Sequence, residues 1–307
     1  MPPRPRDDGL SEVVGFVLLL GVIVIALSLY QVYGVPAVGR ENEIAHMNQV
    51  KDRFVDYKLA LDSLWVNNRS GVLLSTAFDL GTGAPATAGT VFALPILTPA
   101  GSGGTVSVQS GGAKLTITIW EDETISAPIK KLPLGSLSYR SSNNYWVDQT
   151  WIYQGGAVFL SQEGGTTVRV APPLSVSKSV SDDAVIASIR ITPVNIMGSA
   201  RIAGSGPVRI ETRLLDTMQS TYNSPWVNIS IDAGDEEGYA RAWERVFLEA
   251  VRRGDGIPRS WYDIGNSTTT AYLNITGPDN DISNDVILVH NRATYEVSIT
   301  SAASLIE

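Results

Sequence analysis

No cysteine occurs in the 307 residues, which excludes a disulfide framework, a thiolate metal site, a thiol nucleophile and a lipid-modified cysteine anchor. Histidine is nearly as scarce, with only His46 and His290, so most zinc and triad chemistry goes as well. Charged residues make up only 18% and lean acidic, 31 Asp and Glu against 23 Lys and Arg, for a net charge of −8. A nucleic-acid binder needs a cationic face to displace counterions, and no basic run supplies one. What is present is 44% hydrophobic residues with 28 Gly and 16 Pro, the composition of a folded, turn-rich chain long enough for one large domain or two ordinary ones.

Long apolar runs are lacking too, with one exception. A hydrophilic leader, MPPRPRDDG, runs into SEVVGFVLLLGVIVIALSLYQVYGV, and no side chain is charged from Val13 to Gly39. At about 1.5 Å per residue this stretch makes roughly 40 Å of helix, more than the ~30 Å hydrocarbon core of a bilayer. No comparable run follows, so the chain is expected to cross a membrane once at most, over about residues 13–35. A removable secretory signal cut near Pro36-Ala37-Val38-Gly39 is one rival, although signal cores run only about 7–15 residues. An unprocessed anchor is the other.

Asp7-Asp8-Gly9-Leu10-Ser11-Glu12-Val13-Val14-Gly15 places charge, then glycine, then a polar pair directly before the apolar helix. This resembles the class III signal of archaeal type IV pilins and archaellins over roughly the first 65 residues. The resemblance implies that a prepilin peptidase cuts between Gly9 and Leu10, shedding residues 1–9 and leaving the membrane helix on the mature protein. It further implies assembly contacts through Glu12, Val13, Val14, Gly15 and Phe16, with other pilin subunits, membrane lipid, an assembly ATPase and a membrane platform as partners. Bacterial pilins carry a glutamate fifth in the mature chain, whereas Glu12 would stand third. A carboxylate at that depth needs a partner, and a neighbouring subunit's amino terminus would serve; sitting at the headgroup level is the simpler role. Arg4 and Arg6 precede the span while Arg40, Lys51, Arg53 and Lys58 follow it, so charge counting does not orient it. The resemblance places the C-terminal body outside the cell.

Beyond Pro36, which removes a backbone donor and is expected to kink or briefly interrupt the helix, apolar residues recur on one helical face: Ile44, Met47, Val50, Phe54, Tyr57, Leu61 and Leu64. Residues 10–66 therefore read as one long helix. From residue 70 short alternating runs predict strands at 90–97, 105–109, 114–120, 137–139, 150–153, 157–161 and 166–170. Pro172-Pro173 reads as a boundary between β-rich subdomains 70–173 and 174–307, the second with strands at 184–194, 207–214, 227–232, 271–276, 286–290 and 295–300. Ser110-Gly111-Gly112 and Glu163-Gly164-Gly165 read as hairpin loops. One helix is predicted at 235–253, with Asp235, Glu236 and Glu237 at its positive end and Gly254 as a left-handed stop.

Signals for chemistry are weak. Gly101-Ser102-Gly103-Gly104 lacks the Lys-Ser/Thr of a phosphate loop. His46 and His290 have no sequence-local ligand partner, and Asp182-Asp183 and Glu121-Asp122-Glu123 read as solvated turns. Asp279, Asp281, Asn284 and Asp285 form an oxygen-rich cluster suited to calcium but without the glycine and terminal glutamate of an EF-hand. Aromatics gather at Tyr139, Tyr145, Trp146, Trp151 and Tyr153 and read as β-core packing rather than surface stacking. Sequons at Asn68, Asn228, Asn266 and Asn274 are candidate glycosylation sites. The sequence thus predicts a mainly β, α+β protein: a long N-terminal transmembrane and amphipathic helix, then a β-sandwich-like extracellular body with one packed helix. No cofactor and no catalytic residue is expected. With its resemblance, it reads as a pilus-like surface-filament subunit, of minor, tip or pseudopilin-like type given the bulky body, with an adhesive role. The alternative is a single-span anchored surface-binding protein.

Overall fold

The computed structural model describes residues 8–83, 97–122, 125–181, 184–234, 238–254, 256–278 and 286–301. It opens with helix α1 (Asp8–Leu29), a π-helical turn over Tyr30–Gly34, and helix α2 (Val35–Val66). Pro36 accounts for the π turn. Its ring would collide with the carbonyl four residues back, and widening the helix there, with the Val35 N–H donating to the Tyr30 carbonyl five residues back, keeps the chain helical through it. The helix ends where Asn68 turns left-handed (φ +48) and the Arg69 N–H reaches back to the Leu64 carbonyl at 2.9 Å.

The body is two β-sheets. One runs in the order β1 (Leu73–Asp79), β11 (Pro207–Ser224), β15 (Val286–Ser301), β8 (Ala184–Ile191), β7 (Leu174–Ser181), with β9 (Val194–Met197) also on β15. The other runs β13 (Tyr262–Asn266), β14 (Thr270–Ile275), β12 (Val227–Asp232), β2 (Gly103–Asp122), β3 (Ile125–Ser142), β4 (Thr150–Gln154), β5 (Ala157–Gln162), β6 (Gly165–Val170), with β10 (Ser199–Gly204) also on β2. Pairing is antiparallel except for β15 with β8 and with β9. Both sheets draw strands from either side of Pro172-Pro173, so that pair marks the turn from β6 to β7 and does not separate two sheets.

Two hydrophobic cores form on opposite faces of the β4–β5 hairpin. Trp151 and Tyr153 with Val158 and Leu160 face α2, whose Met47, Val50, Phe54, Tyr57 and Leu61 are buried there. Ile152 and Phe159 face helix α3 (Tyr239–Arg253), whose Trp243 lies 5.2 Å from the Phe159 ring. A strand buried on both faces has no polar alternation, which is why Trp151-Ile152-Tyr153 and Ala157-Val158-Phe159-Leu160 run apolar throughout.

Several predicted elements are corrected. Ser110-Gly111-Gly112 is not a hairpin loop: β2 runs straight through it, with a register shift against β3 between Gln109 and Ala113. The bulge docks onto the crossover between the sheets, because the Gly198 N–H donates to Ser110 Oγ at 2.7 Å and that hydroxyl donates back to the Gly198 carbonyl at 2.8 Å. Gly198 sits where the chain leaves β9 in one sheet for β10 in the other. Strand β3 extends far beyond 137–139 despite Pro128 and Pro133. Those prolines are tolerated because β4 pairs only with residues Ser136–Arg140, leaving that stretch as an edge. β15 is one strand where two were predicted, and β1, β7, β10 and β13 fall where no strand was expected. The predicted strand at 90–97 lies outside the described residues except at Leu97. Glu163-Gly164-Gly165 does form the turn between β5 and β6. α3 begins at Tyr239, and Asp235, Glu236 and Glu237 lie outside the described residues. Gly254 is extended (φ −69, ψ 137) rather than left-handed, and glycine is required there because a Cβ would meet the Val176 carbonyl oxygen at 1.8 Å.

Candidate functional site

The chain divides its one long helix into two environments. From Glu12 to Tyr33 every residue is exposed, including Val13 (60%) and Phe16 (65%), whereas from Val35 onward one face is buried in the body. This helix is long and apolar enough to cross a membrane. The bare part, residues 12–34, is roughly 34 Å long at 1.5 Å per residue, which matches a ~30 Å hydrocarbon layer. Val13, Val14 and Phe16 present an apolar surface beside Glu12, and a Cβ at Gly15 would touch nothing within 4 Å. Gly9 and Leu10 lie in the first turn of α1, so cleavage between them requires that turn to open. Gly9, a poor helix former, weakens it.

Where the helix enters the body it is clamped. Glu43, 1% exposed, accepts the backbone N–H of Asn144 on Oε1 at 2.7 Å and that of Tyr145 on Oε2 at 2.8 Å. Gly39 lets the Tyr145 ring lie directly on the helix, since a Cβ there would meet it at 2.4 Å. Arg40 stacks over the Trp146 ring at 4.5 Å, and the Tyr145 hydroxyl accepts the Ala100 N–H at 3.0 Å. Tyr145 and Trp146 thus belong to this clamp, while Tyr139, Trp151 and Tyr153 are core residues as expected. The sequence reading missed Glu43. The available signal was its position in step with Met47, Val50 and Phe54, an acid on the apolar stripe.

Further along, His46 Nε2–H donates to the Tyr139 hydroxyl at 3.1 Å, which donates to the Leu80 carbonyl at 2.8 Å. Burial holds the His46 pKa below its ordinary value, opposed by Asp79, so it is neutral at pH 7. Tyr57 bonds the Thr212 hydroxyl at 2.9 Å, and the Tyr295 hydroxyl donates to the Leu61 carbonyl at 2.6 Å. Helix and body are therefore stitched along four turns. Two backbones cross where residues 80–81 meet the glycine-rich 101–104 run: a Cβ at Gly104 would strike the Leu80 carbonyl at 2.5 Å, and one at Gly81 the Ser102 carbonyl at 2.1 Å.

His290 is 3% exposed, its Nε2 has no hydrogen-bond partner, and its pKa is pushed down to about 4, first by burial and then by Lys130 and Arg292. In the unfolded chain the same ring titrates near ~6.5, so as pH falls the unfolded state binds the proton first. Stability present above that value is lost between about 6.5 and 4. At pH 5 the loss from this group is expected to be about 2 kcal/mol relative to pH 7.5. Urea midpoints at the two pH values check it: His290→Leu should flatten the difference, and an unchanged pH slope in that variant would refute the assignment.

The other predicted site residues do not converge. Asn68 follows α2, its Oδ1 accepting from the Thr217 hydroxyl at 2.9 Å, and Asn266 is exposed at the end of β13. Asn228 and Asn274 face each other across β12 and β14, half-buried. The calcium candidates Asp279, Asp281, Asn284 and Asp285 lie outside the described residues, as do Glu123, Asp182 and Asp183. Among the described residues no group of three or more His, Asp or Glu side chains could hold a metal ion.

Residues 101–278 match the model of a family of unknown function, DUF7289. No curated protein and no solved structure matches.

Proposed function

We propose that this chain, which belongs to the DUF7289 family, is a structural subunit of a pilus-like cell-surface filament, held in the membrane by its N-terminal helix before assembly. The observation that carries the reading is the division of one helix: an uncovered, largely apolar half, Glu12–Tyr33, helically continuous with a half built into a folded body. In lipid, the bare half loses nothing by its exposure. Out of lipid, that much apolar surface demands other copies of itself, and packing helix on helix supplies the same burial. The stitched joint between α2 and the body would transmit load from shaft to body. Glu12 would meet the new amino terminus of a neighbour within the packed shaft. The body lies outside the cell in this reading, where the exposed sequons Asn68 and Asn266 are the sites most open to glycosylation, and no catalytic role is assigned to it.

The test is the amino terminus of the membrane-associated protein from its native host. A start at Leu10, lost when Gly9 is replaced by Trp together with filament assembly, is the expected result. A start at Met1 would instead make the chain a single-span anchored surface-binding protein, and a start near Arg40 a secreted one.

A further inference from the structure

The sheet face that buries Ile152 against α3 at one end stays open at the other, and there it forms a cup of about 520 Å³. Its walls are rows of directly paired residues running across β10, β2, β3 and β4. Arg201 lies opposite Ser107, which is paired with Ser138; the Ser107 and Ser138 hydroxyls bond each other at 2.8 Å. One row over, Thr105 is paired with Arg140 and Arg140 with Thr150. The remaining row joins Gln109, Ser136 and Gln154. Gln154 is only 8% exposed, and its Oε1 has no hydrogen-bond partner. Buried amide oxygens are ordinarily paired, so an orphan on the floor of a polar cup marks a place for a donor from elsewhere. The bulge at Gly111-Gly112 supplies one rim.

The chemistry of the lining selects the occupant. In a chain of net charge −8, the described residues that line the cup include two arginines and no carboxylate. Among the described residues neither Arg140 nor Arg201 forms an ion pair, and their guanidinium forks suit a carboxylate or sulfate. Hydroxyls and amides spaced at ~4.8 Å between strands and roughly 7 Å along them match the donor and acceptor spacing of a polyhydroxylated chain. At the cup β2, β3 and β4 are each paired on both sides, while β10 pairs only with β2; a peptide adding as a strand would extend the sheet beside β10 and leave the face of the cup unfilled.

We infer that this cup binds an acidic oligosaccharide, its acid groups held by Arg140 and Arg201 and its hydroxyls by the serine, threonine and glutamine rows. The face lies opposite α2, so it would look outward from a filament built on that helix; the site itself does not depend on the filament reading, and its test is separate.

Calorimetric titration of the full chain in detergent micelles with trigalacturonate, a sulfated trisaccharide and neutral cellotriose tests it. Binding of one or both acidic sugars is expected, with none for cellotriose, and the two acidic arms tell carboxylate from sulfate. Arg140→Gln with Arg201→Gln should weaken binding about tenfold or more without changing thermal unfolding. Arg169→Gln with Arg245→Gln, in the separate groove between β6 and α3, should leave it unchanged. The inference is overturned if neither acidic sugar binds at ~10 mM, if cellotriose binds as well, if the double variant keeps full affinity, if the variants in the other groove lose as much, or if a hexaglutamate peptide competes equally.

Discussion

Glu43→Ala is expected to destabilise the body by about 2–4 kcal/mol, the cost of leaving two partly buried N–H donors, those of Asn144 and Tyr145, without their charged acceptor. No other acceptor replaces a carboxylate that takes one donor on each oxygen. Water can enter part of the space because the 143–147 loop borders solvent, which sets the estimate below the full loss of two charge-assisted bonds. For a chain of this size roughly 2 °C accompanies each kcal/mol, so Tm should fall by about 4–8 °C. Glu41, exposed on the same helix, is the control, and its replacement by alanine should stay within about 0.5 kcal/mol. Thermal unfolding of both variants in detergent decides the matter: equal midpoints would mean that the clamp contributes nothing. If the filament reading holds, Glu43→Ala should also yield filaments that break more readily, since the bare helix would be less firmly tied to its body.

Gly135→Ala is expected to be worse, costing about 3 kcal/mol or more and reducing folded yield. A Cβ at that position would stand 1.8 Å from the Ile196 carbonyl oxygen and 2.8 Å from that of Gln109. Both are backbone atoms, and a backbone in a paired strand cannot swing aside as a side chain does. The close approach is where β9 crosses β3 to bind the two sheets, with the Gly135 N–H donating to Asn195 Oδ1 at 3.1 Å. Pushing β9 away would break that bond and loosen Ile196 from the core it shares with α2. Gly164→Ala, where a Cβ meets nothing within 4 Å, should change stability by less than about 0.5 kcal/mol. Denaturant midpoints for the two variants check this, and a Gly135→Ala protein as stable as the parent would show that β9 yields at little cost.

Local pattern carried much of the fold. The alternation of Val227–Asp232 and the doubly apolar Ala157–Leu160 read as strands from sequence, because burial on one or both faces leaves its mark every residue or every second residue. The same holds for α3, whose buried face of Tyr239, Trp243, Val246, Phe247, Ala250 and Val251 is legible at a period of 3.6. Glycine misled where it had two uses. Gly111 and Gly112 permit positive φ in a bulge as readily as in a hairpin, and which of the two forms depends on Gly198, almost ninety residues away. Proline misled at Pro128 and Pro133, since whether a strand edge is open is a property of its neighbours and not of its residues.

The N-terminal helix, its single uncharged run and the stripe that buries α2 were settled by sequence alone, because hydrophobicity and helical period act within one segment. The clamp at Glu43, the strand that crosses between sheets at Gly198 and the cup between Arg140 and Arg201 were decided only in three dimensions. Each depends on pairing between segments about sixty to one hundred residues apart, and nothing in a single segment records which distant backbone will supply its partner.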